Sequence, residues 1–271
     1  MTLKAIIFDV DGTLTDSEEA HRDAFNETFR EFGIGVHWDA DRYGELLQIA
    51  GGRERLLFYL ENYEPVFEPS CCNGLADLVV NLHQRKSEIY ARIVAAGRLR
   101  LPAGVARLID EARAAGIRLA IATTTSSANV RWLIRDTLGV EPSDLFDVVC
   151  TGDDGDAKKP APDIYQRVLG GLGLAGDTCL VIEDSEIGLR AAMGAGIPVL
   201  ITVNAYTREQ NFAGAVAVVS GLGSEDEREM AVQLEGDFVL PARIGIADLV
   251  ALHRHQWDVL AGGSVVALGY G

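Results

Sequence analysis

Leu3 to Val10 reads as a buried strand: short, apolar and rich in isoleucine. The pattern then changes. From about Ser17 to Gly97, Phe25, Phe29 and Phe32 recur at helical spacing, and so do Leu75, Leu78, Val79 and Leu82. Strand-like runs are scarce there, so this stretch is expected to form a helical module. From "RLRLPAGV" onward short apolar runs return: "GIRLAIATTT", "LFDVVCTGDD", "DTCLVIEDS", "GIPVLITV" and "AVAVVSGL", most of them separated by amphipathic helical stretches. Strands alternating with helices predict βαβ units and a mainly parallel sheet. The first strand precedes the helical module and the others follow it. The expected fold is therefore an α/β, Rossmann-like core (residues 1–16 and 98–271) with a helical insert (17–97). The hinges are expected near Thr15 to Glu18 and Gly97 to Pro102.

In such sheets ligands bind outside the carboxyl ends of the strands. The polar residues that end the apolar runs are Asp9 and Asp11, Thr123 to Thr125, and Glu183 with Asp184. Residues two apart on an extended chain point the same way, so Asp9 and Asp11 can face one reacting centre, and Gly12 lets the chain turn after them. One carboxylate could attack as a nucleophile while the other moves a proton. The same pair could instead cap the following helix. A second acidic pair, Glu183 and Asp184, ends "LVIEDS". Four carboxylates at one edge repel each other unless a cation lies between them, and oxygen ligands of this kind suit Mg²⁺ with a substrate phosphate. Asp184 or Ser185 could also cap the next helix.

Charge sharpens this picture. Aspartate and glutamate number 40 against 24 lysine and arginine, a formal charge of -16. That balance argues against nucleic-acid binding, which needs a basic footprint. A phosphate-bearing substrate would need metal or local cations to offset the repulsion. Lysine occurs at four positions, and Lys158 and Lys159 stand together in "AKKPAP", after a strand and near the carboxylates. Such a lysine can neutralise a phosphate and orient a nucleophile.

Taken in order, "DVDGT" at Asp9 to Thr13, the threonine ending "LAIATT", "KKP" and "IEDS" resemble the four motifs of the haloacid dehalogenase-like hydrolase superfamily. The insert resembles that superfamily's small α-helical cap. Asp11 favours the phosphatase and phosphomutase branch, because dehalogenases lack the second aspartate of the first motif. The resemblance implies that Asp9 forms an aspartyl-phosphate and that Asp11 protonates the leaving oxygen, then activates water. It implies that Thr123 holds the transferring phosphoryl group and that Lys159 fills the third motif. Asp184, with Glu183, the Asp9 side chain and the Asp11 backbone carbonyl, would hold Mg²⁺.

Within the insert, "AGGRERL" and "LHQRKSEIY" resemble the CbbY-like branch, which includes phosphatases acting on xylulose 1,5-bisphosphate. Its members accompany Calvin-cycle genes or act in plastids. Its sister groups are β-phosphoglucomutase and phosphoglycolate phosphatase. Arg53, Arg55 and Lys86 become candidates to grip a second phosphate, and Glu18, His21, Thr124 and Thr125 join them as substrate-binding candidates. Ala50 departs from the glycine expected in the branch's loop. Two rival readings accompany this one: a phosphomutase on the same scaffold, and a non-catalytic phosphosugar-binding protein that would have lost a chemical residue.

Other patterns are set aside. "GLGLAG" at Gly171 to Gly176 has the dinucleotide-binding spacing but precedes a strand instead of following one, so helix termination is expected. "GDDGD" at Gly152 to Asp156 lacks the later glutamate of a calcium loop. "HRH" at His253 to His255 has no third metal ligand, and surface histidines are expected. The four cysteines, Cys71, Cys72, Cys150 and Cys179, form no CxxC pair, and reduced thiols in a cytoplasmic protein are expected. No apolar run is long enough to span a bilayer, and no membrane partner is expected.

Overall fold

The computed structural model describes residues 2–63, 74–154 and 157–266. Strand β1 (Ala5–Phe8) leads into four helices, α1 (Glu18–Glu31), α2 (Ala40–Leu46), α3 (Gly52–Tyr63) and α4 (Leu75–Ala95). The chain then alternates: α5 (Val105–Ala114), β2 (Arg118–Ala122), α6 (Ser127–Leu138), α7 (Pro142–Leu145), β3 (Val148–Cys150), α8 (Asp163–Leu172), β4 (Cys179–Glu183), α9 (Glu186–Gly194), β5 (Val199–Thr202) and β6 (Ala217–Val219). A short β7 (Gln233–Glu235) and a long α10 (Ile246–Val266) follow.

The strands form one sheet in the order β3-β2-β1-β4-β5-β6-β7, parallel except for β7. β1 lies at its centre, with Ala5 level with Arg118 of β2 on one side and Cys179 of β4 on the other. Because side chains alternate along a strand, Ile6 and Phe8 enter one core and Ala5 and Ile7 the other. That explains the unbroken apolar run: both faces of the sheet are covered by helices. β7 was not foreseen. Its Gln-Leu-Glu sequence carries no apolar run, and it joins the sheet only as an antiparallel edge.

The α1–α4 helices hold a third core of their own. Phe25, Phe29, Trp38, Tyr43, Leu56 and Leu82 pack there, with Trp38 4.7 Å from Phe25 and 4.9 Å from Phe29 between ring centroids. Aromatic residues recurring at helical spacing, as Phe25 and Phe29 do, thus reflect core packing within the module.

The set-aside motifs resolve in different ways. "GLGLAG" ends α8: Gly173 takes a left-handed conformation directly after Leu172, and β4 follows. His253 departs from the expectation of a surface histidine. It is fully buried on α10, and its Nε2 accepts a hydrogen bond from the Trp257 indole at 3.3 Å. The helix turns that side inward, and nothing in the sequence order marks which side faces in. Cys150 and Cys179 are buried free thiols, while Cys71, Cys72 and part of "GDDGD" lie outside the described residues. Among the described residues, no helix is long and apolar enough to cross a membrane.

Candidate active site

The five central parallel strands release their chains at one edge, and the polar residues collect there. Asp9 follows β1, Thr123 follows β2, Lys159 lies on the loop after β3, and Glu183 and Asp184 stand at the end of β4. Asp9 keeps its backbone N–H in the ladder, donating to the Ile182 carbonyl at 3.0 Å, so its side chain leaves from a fixed point. Neither aspartate of the first pair caps α1, whose N-cap residue is Ser17 and which has no side-chain cap hydrogen bond among the described residues. At the second pair, Ser185 is the cap of α9, accepting from the Gly188 N–H, and Asp184 is left free to face the edge.

Asp9, Glu183 and Asp184 bring carboxylate oxygens within 4.8 Å of one another, all buried. One ammonium answers them. Lys159 Nζ donates to Asp9 Oδ1 at 2.5 Å and to Glu183 Oε1 at 2.7 Å. Burial alone would strip the Lys159 proton, but Asp9 and Glu183 outweigh it and hold the amine charged, well above the usual lysine range. Asp184 moves the other way for a carboxyl: burial, then Glu183 and Asp9, push it up. Three carboxylates against one cation leave an uncompensated negative charge in a dry site, and hard oxygen donors are what Mg²⁺ selects. The residues therefore fit a magnesium ion. Glu183 carries further duties: its Oε2 accepts from the backbone N–H groups of Asp184 and Ser185 at 2.8 and 2.9 Å.

Gly12 is required for closeness. It has φ +85°, and a Cβ there would collide with the Asp184 carboxylate. Its N–H closes the turn by donating to the Thr15 carbonyl at 2.8 Å.

The Asp11 side chain turns away from the acidic cluster toward α1. It accepts from the Ser17 hydroxyl at 2.6 Å and lies 3.0 Å from His21 Nε2. His21 Nδ1 lies 2.6 Å from Lys86 Nζ. A carboxylate accepts and an ammonium donates, so the imidazole carries its proton on Nε2 and accepts at Nδ1. Burial and the neighbouring Lys86 keep that ring neutral, lowering its pKa despite Asp11. Burial acts to raise Asp11, yet His21, Ser17 and Lys86 outweigh it and bring the carboxyl to about 2. Lys86 is pushed down to about 7, chiefly by burial, with Arg55 adding to the effect and Asp11 opposing it.

One pocket gathers both sides. Its sheet-edge wall includes Asp9, Asp11, Thr123, Thr124, Thr125, Lys159, Glu183 and Asp184, and its helical wall includes Glu18, His21, Arg55 and Lys86. Arg53 is not among them. It is exposed, while Arg55 is buried, because residues two apart on a helix lie about 200° apart around its axis. Of the two arginines, the fold brings only Arg55 to the pocket. Its guanidinium donates to the Leu46 and Ile49 carbonyls and to the Tyr43 hydroxyl, which donates to Glu18 at 2.7 Å.

Several pocket or near-pocket residues escaped sequence reasoning. Asn204 donates to Asp184 Oδ2 at 2.7 Å; its place after the β5 run was a usable signal. His83, pushed down to about 4 by burial and by Lys86 and Lys158, also lines the pocket. Lys158, singled out beside Lys159 in the sequence, has a partner the sequence did not mark, bridging to Glu54 of α3 at 2.6 Å. Asn129 lines the pocket with a buried Oδ1 that has no hydrogen-bond partner among the described residues.

Known proteins resemble this chain in sequence and in fold. The chain is 47% identical over 216 residues to protein CbbY of Rhodobacter capsulatus, covering 79% of this chain and 92% of that one. To plasmid-borne protein CbbY of Cupriavidus necator it is 45% identical over 225 residues, covering 83% and 88%. The crystal structure of a CbbY variant from Rhodobacter sphaeroides in complex with xylulose 1,5-bisphosphate superposes with a TM-score of 0.75 at 42% identity, covering 81% of this chain and 94% of that one. The family model for haloacid dehalogenase-like hydrolase matches residues 3–196, a span that takes in the helical module and the strand ends that carry Asp9, Thr123, Lys159, Glu183 and Asp184. On that match the chain belongs to the haloacid dehalogenase-like hydrolase family, and it is a phosphatase.

Proposed function

We propose that this phosphatase is Mg²⁺-dependent and acts on a sugar bisphosphate, with xylulose 1,5-bisphosphate the first substrate to test. The observation that carries the reading is the pairing of two cationic stations across one pocket: Lys159 at the sheet edge, and Lys86 with Arg55 on the helical wall. One phosphate would meet Asp9, Thr123 and Lys159. The second would meet spare N–H donors of Lys86 and Arg55. The R. sphaeroides relative seen with xylulose 1,5-bisphosphate supports the same class of ligand.

The chemistry follows from the side chains. An Asp9 carboxylate oxygen attacks phosphorus while the bond from phosphorus to the sugar oxygen breaks. Asp11 gives that oxygen a proton. Water then attacks the aspartyl-phosphate, Asp11 takes the water's proton, and the bond to Asp9 breaks to release phosphate. With its pKa brought down to about 2, Asp11 needs a partner to carry a proton, and the contact to His21 and Lys86 offers one. Mg²⁺, held by Asp9, Asp184 and Glu183 with the Asp11 backbone carbonyl, would offset phosphate charge when bound. The α1–α4 module acts as the cap, excluding water from the pocket it walls.

The test is turnover of a sugar-phosphate panel with Mg²⁺, with and without chelator, on wild type, Asp9→Asn and Lys86→Met. Wild type is expected to favour bisphosphates by about ten- to a hundred-fold in kcat/KM, the worth of a charge-assisted hydrogen bond of roughly 1.5 to 3 kcal/mol. Lys86→Met should narrow that gap, Asp9→Asn should abolish release, and chelator should stop it. Equal rates on bis- and monophosphates would overturn the second station and favour a monophosphate such as phosphoglycolate. Isomerised sugar phosphate in place of free phosphate, with a bisphosphate primer, would point to the mutase.

A further inference from the structure

The loop after β5 has no part in the chemistry above, yet it touches both sides of the pocket. Asn204 organises it. The Asn204 Oδ1 accepts from the N–H groups of Tyr206 at 2.8 Å and Thr207 at 3.2 Å, and its own N–H donates to Thr207 Oγ1 at 3.1 Å. These bonds settle which end of the amide is oxygen. The amide nitrogen therefore faces Asp184, donating to Oδ2 at 2.7 Å. Two residues on, Tyr206 leaves the loop and meets the helical module. Its ring stands edge-on to Tyr43 with centroids 5.6 Å apart, and its hydroxyl donates to Glu19 of α1. A Cβ on Gly44 of α2 would sit 3.4 Å from the ring, so the fit there is close. Tyr43 is the residue that links Glu18 and Arg55 on the helical wall.

We infer that Asn204 and Tyr206 are positioning residues that join the setting of Asp184 to the seating of the helical module over the pocket. Asn204 aims the carboxylate with one end of its amide and fixes the tyrosine's turn with the other. Tyr206 then docks the α1–α2 side of the module against the sheet edge. A single short turn thus ties the acidic cluster to the substrate-facing wall. The inference rests on the proposed reading in one respect, that Asp184 serves as a Mg²⁺ ligand.

The variants separate the two ends. Asn204→Asp keeps an oxygen for the turn but removes the donor and places a second carboxylate against Asp184; Asn204→Ser serves if that variant does not fold. Tyr206→Phe keeps the ring and loses the bond to Glu19, and Tyr206→Ala loses both. The readouts are the Mg²⁺ concentration giving half-maximal thermal stabilisation, the radius of gyration from small-angle scattering, and the division between KM and kcat. Asn204→Asp should raise the Mg²⁺ midpoint about ten- to a hundred-fold, as loss of a ligand's supporting hydrogen bond does. Tyr206→Ala should enlarge the radius of gyration and raise KM more than it lowers kcat, with its Mg²⁺ midpoint within about two-fold of wild type, since substrate contacts are lost with the module and ligand contacts are not. Tyr206→Phe should fall between. An unchanged Mg²⁺ midpoint in folded Asn204 variants, or wild-type scattering and KM in Tyr206→Ala, would overturn the inference. If wild type released no phosphate from any sugar phosphate, the proposed substrate class would fail, while Mg²⁺ melting and scattering would still judge this coupling.

Discussion

Lys86 shows how much a single residue's surroundings decide. It sits on α4 with its ammonium 4.8 Å from the Phe25 ring centroid and 4.9 Å from that of Tyr90, and Asp11, Glu18, His21, His83 and Arg55 share its pocket. Burial leaves it titrating at about 7. A lowered lysine pKa means that the charged form is present below that pH and is lost as pH rises through it. Because kcat/KM reports the free enzyme, kcat/KM on a bisphosphate should fall as pH climbs past about 7. Lys86→Arg should remove that limb, since a guanidinium stays protonated there. A limb that persists unchanged in Lys86→Arg would assign it elsewhere. The resemblance of "LHQRKSEIY" drew attention to this residue in the sequence, but its low pKa was not legible. That depends on burial against Phe25 and Tyr90 and on the nearby Arg55, which come from α1, α4 and α3 and meet only in the folded module.

At the scale of elements, what could be read ahead depends on where a side chain departs. Asp9, Thr123, Glu183 and Asp184 end apolar runs, and a parallel sheet must deliver such ends to one edge, so their convergence followed from pattern alone. Helices offer no such certainty. Arg53 and Arg55 look equivalent in "GRERL", and only the packing of Leu56 and Leu60 into the module core decides that Arg55 turns inward. The bridge between Glu54 of α3 and Lys158 of the β3–α8 loop was equally invisible, being formed by residues 104 apart in sequence. It is partly exposed, so its worth is modest, about 0.2 to 1 kcal/mol for pairs of this kind. Lys158→Met is expected to raise KM by no more than about five-fold with kcat little changed, and the penalty should fade in high salt. A large loss of kcat would instead place Lys158 in the chemistry. Fixed strand ends and adjustable helix faces together make a pocket with one wall set by the sheet and one wall assembled from afar.

For the molecule as a whole, the central place of β1 has a consequence for how the chain comes into being. β1 is made first, yet its neighbours β2 and β4 begin at Arg118 and Cys179. During synthesis those four apolar residues must wait for both partners, because pairings so distant in sequence form late. The helical module has its own aromatic core and faces no such delay. A chain stopped after α4 is expected to hold helix by circular dichroism while binding a hydrophobic dye through its unpaired strand. A chain stopped after β3 should still lack a cooperative melt, because one whole side of β1 remains open. Extending it past β5 should restore one. A cooperative melt in the fragment ending at β3 would show that β1 needs only one neighbour. Asp9, at the end of β1, thus leaves the ribosome long before the strands that flank it: its setting in the pocket is complete only when the β4 segment has arrived to close the sheet around it.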